Sequence, residues 1–364
     1  MSQLMKSYTH NTGTFIGKSG TEIFFQNWCV DNPHGILVIV HGVGEHSGRY
    51  DNIINELKGK NISIYALDHR GHGRSGGKRG HIDSFMDYVY DVKLFIDLIK
   101  EENSKIPLIV LGHSLGGVIA TKYALSYSED LNGLVLSSPG FVHLVKVPGW
   151  KKSLSKIVSR YVPGLTQPTK LDARYLSHDA DVVEAYENDR LVHDKVTTRF
   201  YTEFTQACEE CLSRASELRT PLLVFHGTGD RIVDYHGSEK LFNNASSRDK
   251  NIHLFDDYYH ETMNELGKKK VLQITARWIV NAISRKKISK RAKTNRPKKP
   301  IKRIGTKSVK KNRAYSFQKG SPKKGAKKTI KKGVKKIVGT KKSAKKSSKK
   351  SAKKSSKKSS KKKK

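Results

Sequence analysis

Short aliphatic runs alternate along the chain with segments of helical spacing, and this alternation constrains the fold more than any other feature. Each run has a length suited to a strand buried on both faces. The runs are Ile36–Val40, Ile62–Leu67, Ile106–Leu111, Leu134–Leu136, Leu222–Phe225 and Ile252–Phe255. The segments of helical spacing are Tyr50–Leu57, Phe85–Lys100, Leu115–Tyr127, Ser238–Asn243 and Val271–Ile283. A hairpin of Thr14–Gly17 and Thr21–Cys29 is predicted before them. Because parallel strands need long, usually helical, crossovers, this order predicts an α/β fold with a mostly parallel sheet and helices on both faces.

One long stretch interrupts the alternation. Between Pro139 and Pro221 no convincing buried strand occurs, whereas helical spacing recurs at Asp181–Asn188 and Val196–Cys211. A stretch of this length is too long for a loop within a compact domain, so an inserted helical cap is predicted. The predicted division is a core of residues 1–139 and 218–284, a cap of residues 140–217 and a tail of residues 285–364.

Charge separates the tail from the rest of the chain. Residues 285–364 hold 38 of the 71 Lys and Arg residues and none of the 33 Asp and Glu residues. The first 284 residues are therefore formally neutral, which excludes a uniformly basic nucleic-acid-binding fold. A segment with few apolar residues and no acidic partners cannot bury enough surface to offset its chain entropy, so the tail is predicted to be disordered.

The segment Arg285–Lys364 has three functional interpretations besides that of a solubilising extension. Arg296–Arg303 has the pattern of a nuclear import signal. The Lys-Ser-Ala repeats and Ser321–Lys324 look like the tail of a linker histone, which suits binding to phosphate backbones. Lysine-rich segments also bind anionic membrane surfaces. Nucleic acid is slightly favoured, because residues that insert into lipid are nearly absent after Phe317.

An intracellular location, cytoplasmic or nuclear, is expected. No apolar run approaches the roughly 18 residues of a membrane span, and the first ten residues contain no apolar core of a secretory signal. The three cysteines, Cys29, Cys208 and Cys211, suit a reducing compartment.

The strongest functional signal is Gly112-His-Ser-Leu-Gly116, which lies between a predicted strand and a predicted helix. In that setting Gly-x-Ser-x-Gly forms a sharp turn with a nucleophilic serine at its apex. The glycines avoid collisions in the turn, and the N-terminus of the helix favours developing negative charge. Ser114 is therefore the predicted nucleophile, although the same pattern alone occurs often by chance.

A serine nucleophile needs a base and an acid that orients the base. In this architecture the chain order is Ser, acid, His, with the acid and the histidine after late strands. Asp230 lies in a Gly-rich turn closest to the end of its strand, so it is preferred to the rival acids Asp234, Asp256 and Asp257. His260 follows the last strand, and position selects it among 15 histidines.

An oxyanion hole needs two N–H donors aimed at one carbonyl oxygen. Leu115, directly after the nucleophile, is one predicted donor. Val43, in the glycine-flanked turn after the first parallel strand, is the other, although that turn has a purely structural interpretation as well.

Neither a metal nor an organic cofactor is predicted, because the serine mechanism needs none. Cys208 and Cys211 form a single C-x-x-C, whereas a zinc site usually has four ligands. The histidines of Asp68–Gly73 are interpreted as part of a conformationally demanding loop beside the active site.

These motifs together resemble the monoacylglycerol lipase and lysophospholipase branch of the α/β-hydrolases, of the serine aminopeptidase S33 type. The segments that carry the resemblance are His41–Tyr50, Asp68–Ser75, Gly112–Gly117, Asp179–His193 and Tyr259–Glu265. The resemblance implies an eight-stranded sheet with a helical cap after the sixth strand. It also implies a triad of Ser114, Asp230 and His260 and an oxyanion hole at Val43 and Leu115. The basic tail has no counterpart in that family pattern.

The resemblance implies hydrolysis of a lipid carboxylic ester, a monoacylglycerol or a lysophospholipid, through an acyl-enzyme. The apolar segment Phe141–Trp150 is interpreted either as a lid that contacts lipid or as packing against the main domain. Two other functions stay open, a general short-chain carboxylesterase and a nucleic-acid-binding protein that uses the hydrolase fold as a scaffold. The complete set of Ser114, Asp230 and His260 argues against the scaffold.

Overall fold

The computed structural model describes residues 8–144 and 157–294. The strands are β1 (Thr9–Ile16), β2 (Glu22–Cys29), β3 (Gly35–Val40), β4 (Ile62–Leu67), β5 (Leu108–His113), β6 (Gly133–Ser137), β7 (Thr166–Pro168), β8 (Lys195–Thr197), β9 (Leu222–Gly227) and β10 (Lys250–Phe255). The α-helices within these two ranges are α1 (Asp51–Leu57), α2 (Met86–Asn103), α3 (Leu115–Ser126), α4 (Ala180–Glu187), α5 (Thr198–Ser213), α6 (His236–Asn244) and α7 (Lys268–Thr294).

Eight of the strands form one sheet in the order β1-β2-β4-β3-β5-β6-β9-β10. β2 pairs antiparallel with β1 and with β4, and all other neighbours are parallel. The predicted eight-stranded, mostly parallel sheet is therefore confirmed. The strand order changes direction between β3 and β5, and ligands of open α/β sheets bind outside the carboxyl ends of strands at such a point.

Burial of both faces explains why the central strands consist of continuous apolar runs. All six residues of β3 are buried. Ile36, Val38 and Val40 pack in one core cluster with apolar residues of α2 and α3. Leu37 and Ile39 point the other way, into a second cluster with α1 and α7. The sheet thus has helices on both faces, as the alternation predicted.

The ends of two elements differ from the prediction. β1 begins at Thr9 rather than Thr14, because its first four residues are exposed on an edge strand and give no apolar signal. α7 continues to Thr294, ten residues into the segment predicted as a tail, where Lys and Arg are good helix formers. The prediction of disorder beyond residue 294 lies outside the described residues, as does most of the apolar segment Phe141–Trp150.

The predicted cap contains the two expected helices, as α4 and α5, and a two-stranded sheet that was not predicted. β7 and β8 pair antiparallel over three residues each, which is too short for a periodic signal. Phe200 and Phe204 of α5 are buried in the same cluster as α3, so this helix packs as part of the main core. No helix within the described ranges is long and apolar enough to cross a bilayer.

Candidate active site

Ser114 lies between β5 and α3, where the chain turns sharply. Its φ of 53° and ψ of −117° belong to a strained region for a residue with a side chain. The turn needs its glycines, because a Cβ on Gly112 would lie 2.3 Å from Gly116 O and a Cβ on Gly116 would lie 1.9 Å from Val40 O. The Ser114 N–H donates to Ser137 O at 3.0 Å, which fixes the turn to the neighbouring strand β6.

Asp230 and His260 meet at the carboxyl ends of β9 and β10. His260 Nδ1 lies 2.6 Å from Asp230 Oδ2, and both side chains are buried. The other carboxylate oxygen, Oδ1, accepts the backbone N–H groups of Ile232 at 2.8 Å and Val233 at 3.0 Å. The carboxylate is therefore held by its own turn while it contacts the imidazole.

The three rival acids have other partners. Asp234 Oδ1 lies 2.7 Å from Nδ1 of the exposed His236. Asp256 accepts a hydrogen bond from the hydroxyl of Thr228, and the Asp257 N–H donates to the same hydroxyl oxygen. Of the four carboxylates, Asp230 alone contacts His260 within the described part of the chain.

The two buried groups shift each other's pKa values in opposite directions. Burial raises the pKa of Asp230, but attraction to His260 and the hydrogen bonds from His226 and His260 outweigh it and lower the pKa well below its usual range. Burial lowers the pKa of His260, but attraction to Asp230 outweighs it and raises the pKa above its usual value. Asp230 is therefore ionised, and His260 is a stronger base than a free imidazole.

His226 is a third member of this hydrogen-bond chain, and the sequence interpretation missed it. Its Nε2 lies 2.9 Å from Asp230 Oδ2 and its Nδ1 lies 2.7 Å from Ser238 Oγ. Because an ionised carboxylate only accepts, Nε2 is the donor and Nδ1 accepts from the hydroxyl. The side chain is fully buried, and burial lowers its pKa. Its position at the end of an apolar run, four residues before Asp230, was the available signal.

One predicted oxyanion donor, Leu115, directly follows Ser114, and the other, Val43, lies in a neighbouring loop. A Cβ on Gly42, next to Val43, would lie 3.2 Å from Ser114 Cβ, so the loop after β3 closely approaches the serine. The N–H groups of Val43 and Leu115 donate no hydrogen bond to any residue within 8–144 and 157–294.

Contacts from the core and from the cap region hold the loop after β3. Glu45 Oε1 accepts the Gly42 N–H at 2.5 Å and the Tyr50 hydroxyl at 2.8 Å. Gly44 has a φ of +78°, and its carbonyl accepts the His193 N–H at 2.9 Å.

Ser114, His260 and Val43 line one cavity. Its other apolar lining residues are Leu171 and Leu176. Its polar lining residues include Glu45, Arg49, Tyr186 and Glu261. The cavity thus brings the predicted nucleophile, base and oxyanion loop together with two leucines and with these four polar residues, which form its polar wall.

The polar wall is a buried ion cluster that the sequence interpretation did not predict. Arg49 Nη1 donates to Glu45 Oε2 at 3.0 Å and to Glu261 Oε1 at 2.6 Å, and Nη2 donates to Glu261 Oε2 at 3.1 Å. Burial raises the pKa of Glu261, but the attraction of Arg49 outweighs it and lowers the pKa to about 2. The guanidinium also lies over the Tyr186 ring, 4.7 Å from its centroid. Two carboxylates thus share one cation.

The loop after β4 has a structural role through Asp68. Its Oδ1 accepts the Ser47 N–H and its Oδ2 accepts the Arg74 N–H, each at 2.8 Å. His69 and His72 are fully buried in this loop. No group of three or more His, Cys, Asp or Glu side chains in the described part of the chain is arranged to hold a metal.

Cys208 and Cys211 lie on the buried face of α5. Cys208 Sγ donates to Gly140 O at 3.1 Å and Cys211 Sγ to Val118 O at 3.8 Å. Burial raises the pKa of Cys211 to about 12, so its thiol stays protonated at neutral pH. Both thiols contribute packing and weak hydrogen bonds between α5 and the core.

A sequence profile described as serine aminopeptidase, S33, matches residues 31–267. The chain belongs to this family. The monoacylglycerol lipase of Mycolicibacterium smegmatis is 35% identical over 279 residues, which cover 76% of this chain and 99% of that protein. Phospholipase YtpA of Bacillus subtilis is 32% identical over 248 residues, or 68% of this chain and 95% of that protein. The crystal structure of the Paleococcus ferrophilus monoacylglycerol lipase, 32% identical, superposes with a TM-score of 0.64 over 75% of this chain and 99% of that chain.

Family membership confirms the resemblance inferred from the motifs and the α/β-hydrolase fold. The chain is a serine ester hydrolase. The matched profile ends at residue 267, so the basic tail lies outside it.

Proposed function

We propose that this chain hydrolyses the carboxylic ester of a lipid with one acyl chain, most readily a monoacylglycerol, with Ser114 as nucleophile, His260 as base and Asp230 as orienting acid. One observation supports this proposal above the others. The imidazole of His260 is held by Asp230 at 2.6 Å and lines the same cavity as Ser114, which sits at a strained turn. A serine in that setting shares its cavity with an imidazole that can accept its proton, and Val43 of the predicted oxyanion loop lines the same cavity.

The first half of the reaction acylates the serine. Ser114 Oγ attacks the ester carbonyl carbon while His260 Nε2 takes the hydroxyl proton. The carbonyl electron pair moves to oxygen, and the N–H groups of Val43 and Leu115 stabilise that oxyanion. When the carbonyl re-forms, the bond to the alcohol breaks and His260 gives its proton to the departing alkoxide. The alcohol leaves, and the acyl group stays on Ser114.

The second half returns the enzyme to its starting state. His260 Nε2 takes a proton from water, whose oxygen attacks the acyl carbonyl carbon. The same two N–H groups bind the second oxyanion. Its collapse breaks the bond to Ser114 Oγ, which recovers the proton from His260, and the fatty acid leaves. Throughout, the ionised Asp230 stabilises the imidazolium that forms in each half.

The polar wall of the cavity favours a neutral head group over an anionic one. The Glu45, Arg49 and Glu261 cluster has a formal charge of −1 and is almost fully buried, where charges interact more strongly than in water. Three of the five N–H groups of Arg49 already donate to the two carboxylates, whose combined charge exceeds that of the guanidinium, so the cluster as a whole does not attract a phosphate. A glycerol head group carries no charge to be repelled.

The wild-type enzyme is therefore expected to prefer a monoacylglycerol to a lysophosphatidate with the same acyl chain by at least about tenfold in kcat/KM, which corresponds to about 1.4 kcal/mol. The measurement is fatty-acid release from both lipids below their aggregation thresholds at one ionic strength. Glu261→Gln removes one carboxylate and so weakens the repulsion of the anionic head group. We therefore expect this variant to show a smaller ratio between the two kcat/KM values.

Two further outcomes separate the alternatives. Equal or faster hydrolysis of the anionic lipid would contradict the role given to the polar wall and favour a lysophospholipase. A series of p-nitrophenyl esters should show a preference for longer acyl chains, whereas a preference for the acetate would favour a general short-chain carboxylesterase.

We further propose that the segment Arg285–Lys364 tethers the enzyme to a polyanion. The support is compositional, since this segment carries 38 basic and no acidic residues. Nucleic acid is the favoured partner because the segment is rich in Lys and Ser and poor in apolar residues. The import-like pattern of Arg296–Arg303 fits a nuclear location, with nucleic acid as the partner. A cytoplasmic location would fit tethering to a polyanion outside the nucleus.

Truncation after Thr294, which keeps α7 whole, is expected to leave kcat/KM for a soluble ester unchanged and to abolish binding to duplex DNA. Binding of the full chain to DNA should fall steeply as salt rises, because each neutralised phosphate releases a counterion. Fluorescence anisotropy at several salt concentrations measures both chains. Absence of binding by the full chain at low salt would contradict the proposal, and tighter binding to phosphatidylserine vesicles than to DNA would replace nucleic acid by membrane.

A further inference from the structure

The loop that carries His260 is hydrogen-bonded to residues 175–178 of the predicted cap. The His260 N–H donates to Tyr175 O at 3.3 Å, and the Glu261 N–H donates to Leu176 O at 2.8 Å. These are bonds between backbones far apart in sequence. The position of the imidazole therefore depends on a segment outside its own loop.

Glu265 joins the same two segments through its side chain. Its Oε1 accepts the Tyr259 N–H at 2.8 Å and a hydrogen bond from His178 Nδ1 at 2.9 Å. Its Oε2 accepts the backbone N–H groups of His178 and Leu266, each at 3.2 Å. One carboxylate thus accepts four hydrogen bonds, two from the loop of His260 and two from the cap segment.

The carboxylate of Glu265 is buried and is satisfied by hydrogen bonds to the two segments. Its side chain is 3% exposed, and a buried carboxylate is unfavourable unless hydrogen bonds satisfy it. No Lys or Arg side chain pairs with it within the described ranges, where its one ionisable partner is His178. The His178 ring also stacks on the Tyr259 ring, with centroids 3.6 Å apart. Glu265 does not line the substrate cavity, so its contacts serve the two segments.

We propose that Glu265 is a positioning residue that holds the imidazole of His260 in register with Asp230 and Ser114. Tyr259 directly precedes His260, so the bond from its N–H to Glu265 restrains the backbone at the residue that carries the imidazole. A misplacement of about 1 Å at a reacting group lowers the rate about 100-fold. This inference rests on the proposed roles of Ser114, His260 and Asp230.

Glu265→Gln is the variant of choice because it keeps the size of the side chain. The amide replaces one acceptor oxygen by a donor NH2 group, so two of the four N–H donors lose their acceptor and face another donor. We expect kcat for a monoacylglycerol to fall roughly 10- to 100-fold with KM nearly unchanged. The far-downfield proton resonance of the His260–Asp230 hydrogen bond should broaden or vanish.

Lys268→Ala is the matched control. It removes an ion pair of 3.2 Å to Asp179, which links the same two regions but contacts neither Tyr259 nor His260. This variant is expected to keep the wild-type kcat and the downfield resonance. His178→Ala provides a second test if Glu265→Gln does not fold, because its side chain is one-third exposed. The His178→Ala change removes one hydrogen bond to Glu265 and the stacking on Tyr259, and it should lower kcat several-fold.

The outcomes separate this inference from the proposed function. An inactive wild type would show that the proposed function is wrong, whatever the variants do. An active wild type with a Glu265→Gln variant of unchanged kcat and unchanged downfield resonance would overturn the positioning role. A Glu265→Gln variant that melts at a lower temperature but keeps the wild-type kcat at 25 °C would also overturn it. Such a result would show that Glu265 affects stability alone.

Discussion

Ser114→Ala is expected to lower kcat for a monoacylglycerol by roughly 10⁶-fold, the order seen when the nucleophile of a serine triad is removed. The variant has no hydroxyl to form the acyl-enzyme, and the remaining N–H donors of Val43 and Leu115 can only assist attack by water. Alanine fits the turn, because it is smaller than serine and the positive φ of 53° at residue 114 strains the two residues alike. Fatty-acid release at saturating substrate measures the loss, with the melting temperature as a check of folding.

Ser126→Ala is the control for this experiment. Ser126 is exposed at the opposite end of α3 from Ser114, so its replacement tests the same chemical change on the same helix away from the cavity. Wild-type kcat is expected. A Ser114→Ala variant within tenfold of the wild type would contradict the assignment of the nucleophile.

Asp230→Asn is expected to lower kcat about 10⁴-fold, as the equivalent change does in other serine triads. The asparagine oxygen can still accept the N–H groups of Ile232 and Val233, which leaves its NH2 group facing His260. An NH2 donor there forces Nδ1 of the imidazole to accept, so Nε2 carries the proton and cannot take one from Ser114.

The same variant should also change the pH dependence of kcat/KM. His260 must be neutral to act as base, and its pKa is raised in the wild type by the charge of Asp230, with burial opposing. Wild-type activity is therefore expected to fall, with decreasing pH, through a midpoint above 6.5. Loss of the negative charge lowers that pKa, so the residual activity of Asp230→Asn should persist to lower pH.

Asp234→Asn is the control that the sequence itself suggests, because Asp234 was a rival acid. It pairs with the exposed His236 and does not contact His260. Wild-type kcat and a wild-type acid midpoint are expected. A large loss in Asp234→Asn together with a small loss in Asp230→Asn would reverse the assignment of the acid.

Local sequence patterns predicted the strands and the turn whose structure depends on residues close together in the chain. The continuous apolar runs became the central strands because both faces of the sheet are covered. The Gly-rich turn around Ser114 was recognisable because its glycines are sterically required within five residues. Its position closest to the end of its strand selected Asp230 from its rivals, and of the four carboxylates it is the one that contacts His260 in the described part of the chain.

Polar contacts between distant loops left no comparable signal in the sequence. Arg49 and Glu261 are 212 positions apart, and His178 and Glu265 are 87 positions apart. Each such residue looks like an ordinary charged residue in a loop, since neither periodicity nor spacing reports a partner elsewhere in the chain. The exposed edge strand β1 was predicted five residues too short for a related reason, because it buries few side chains.

The most direct test of the proposed mechanism is to trap the acyl-enzyme. Wild type and Ser114→Ala are mixed with a long-chain p-nitrophenyl ester, quenched in acid within milliseconds and digested, and the peptides are weighed by mass spectrometry. The mass of one acyl group is expected on the wild-type peptide that contains Ser114 and on no peptide of the variant. An acyl group on another residue, or rapid hydrolysis by the wild type without any acylated peptide, would contradict a mechanism through Ser114.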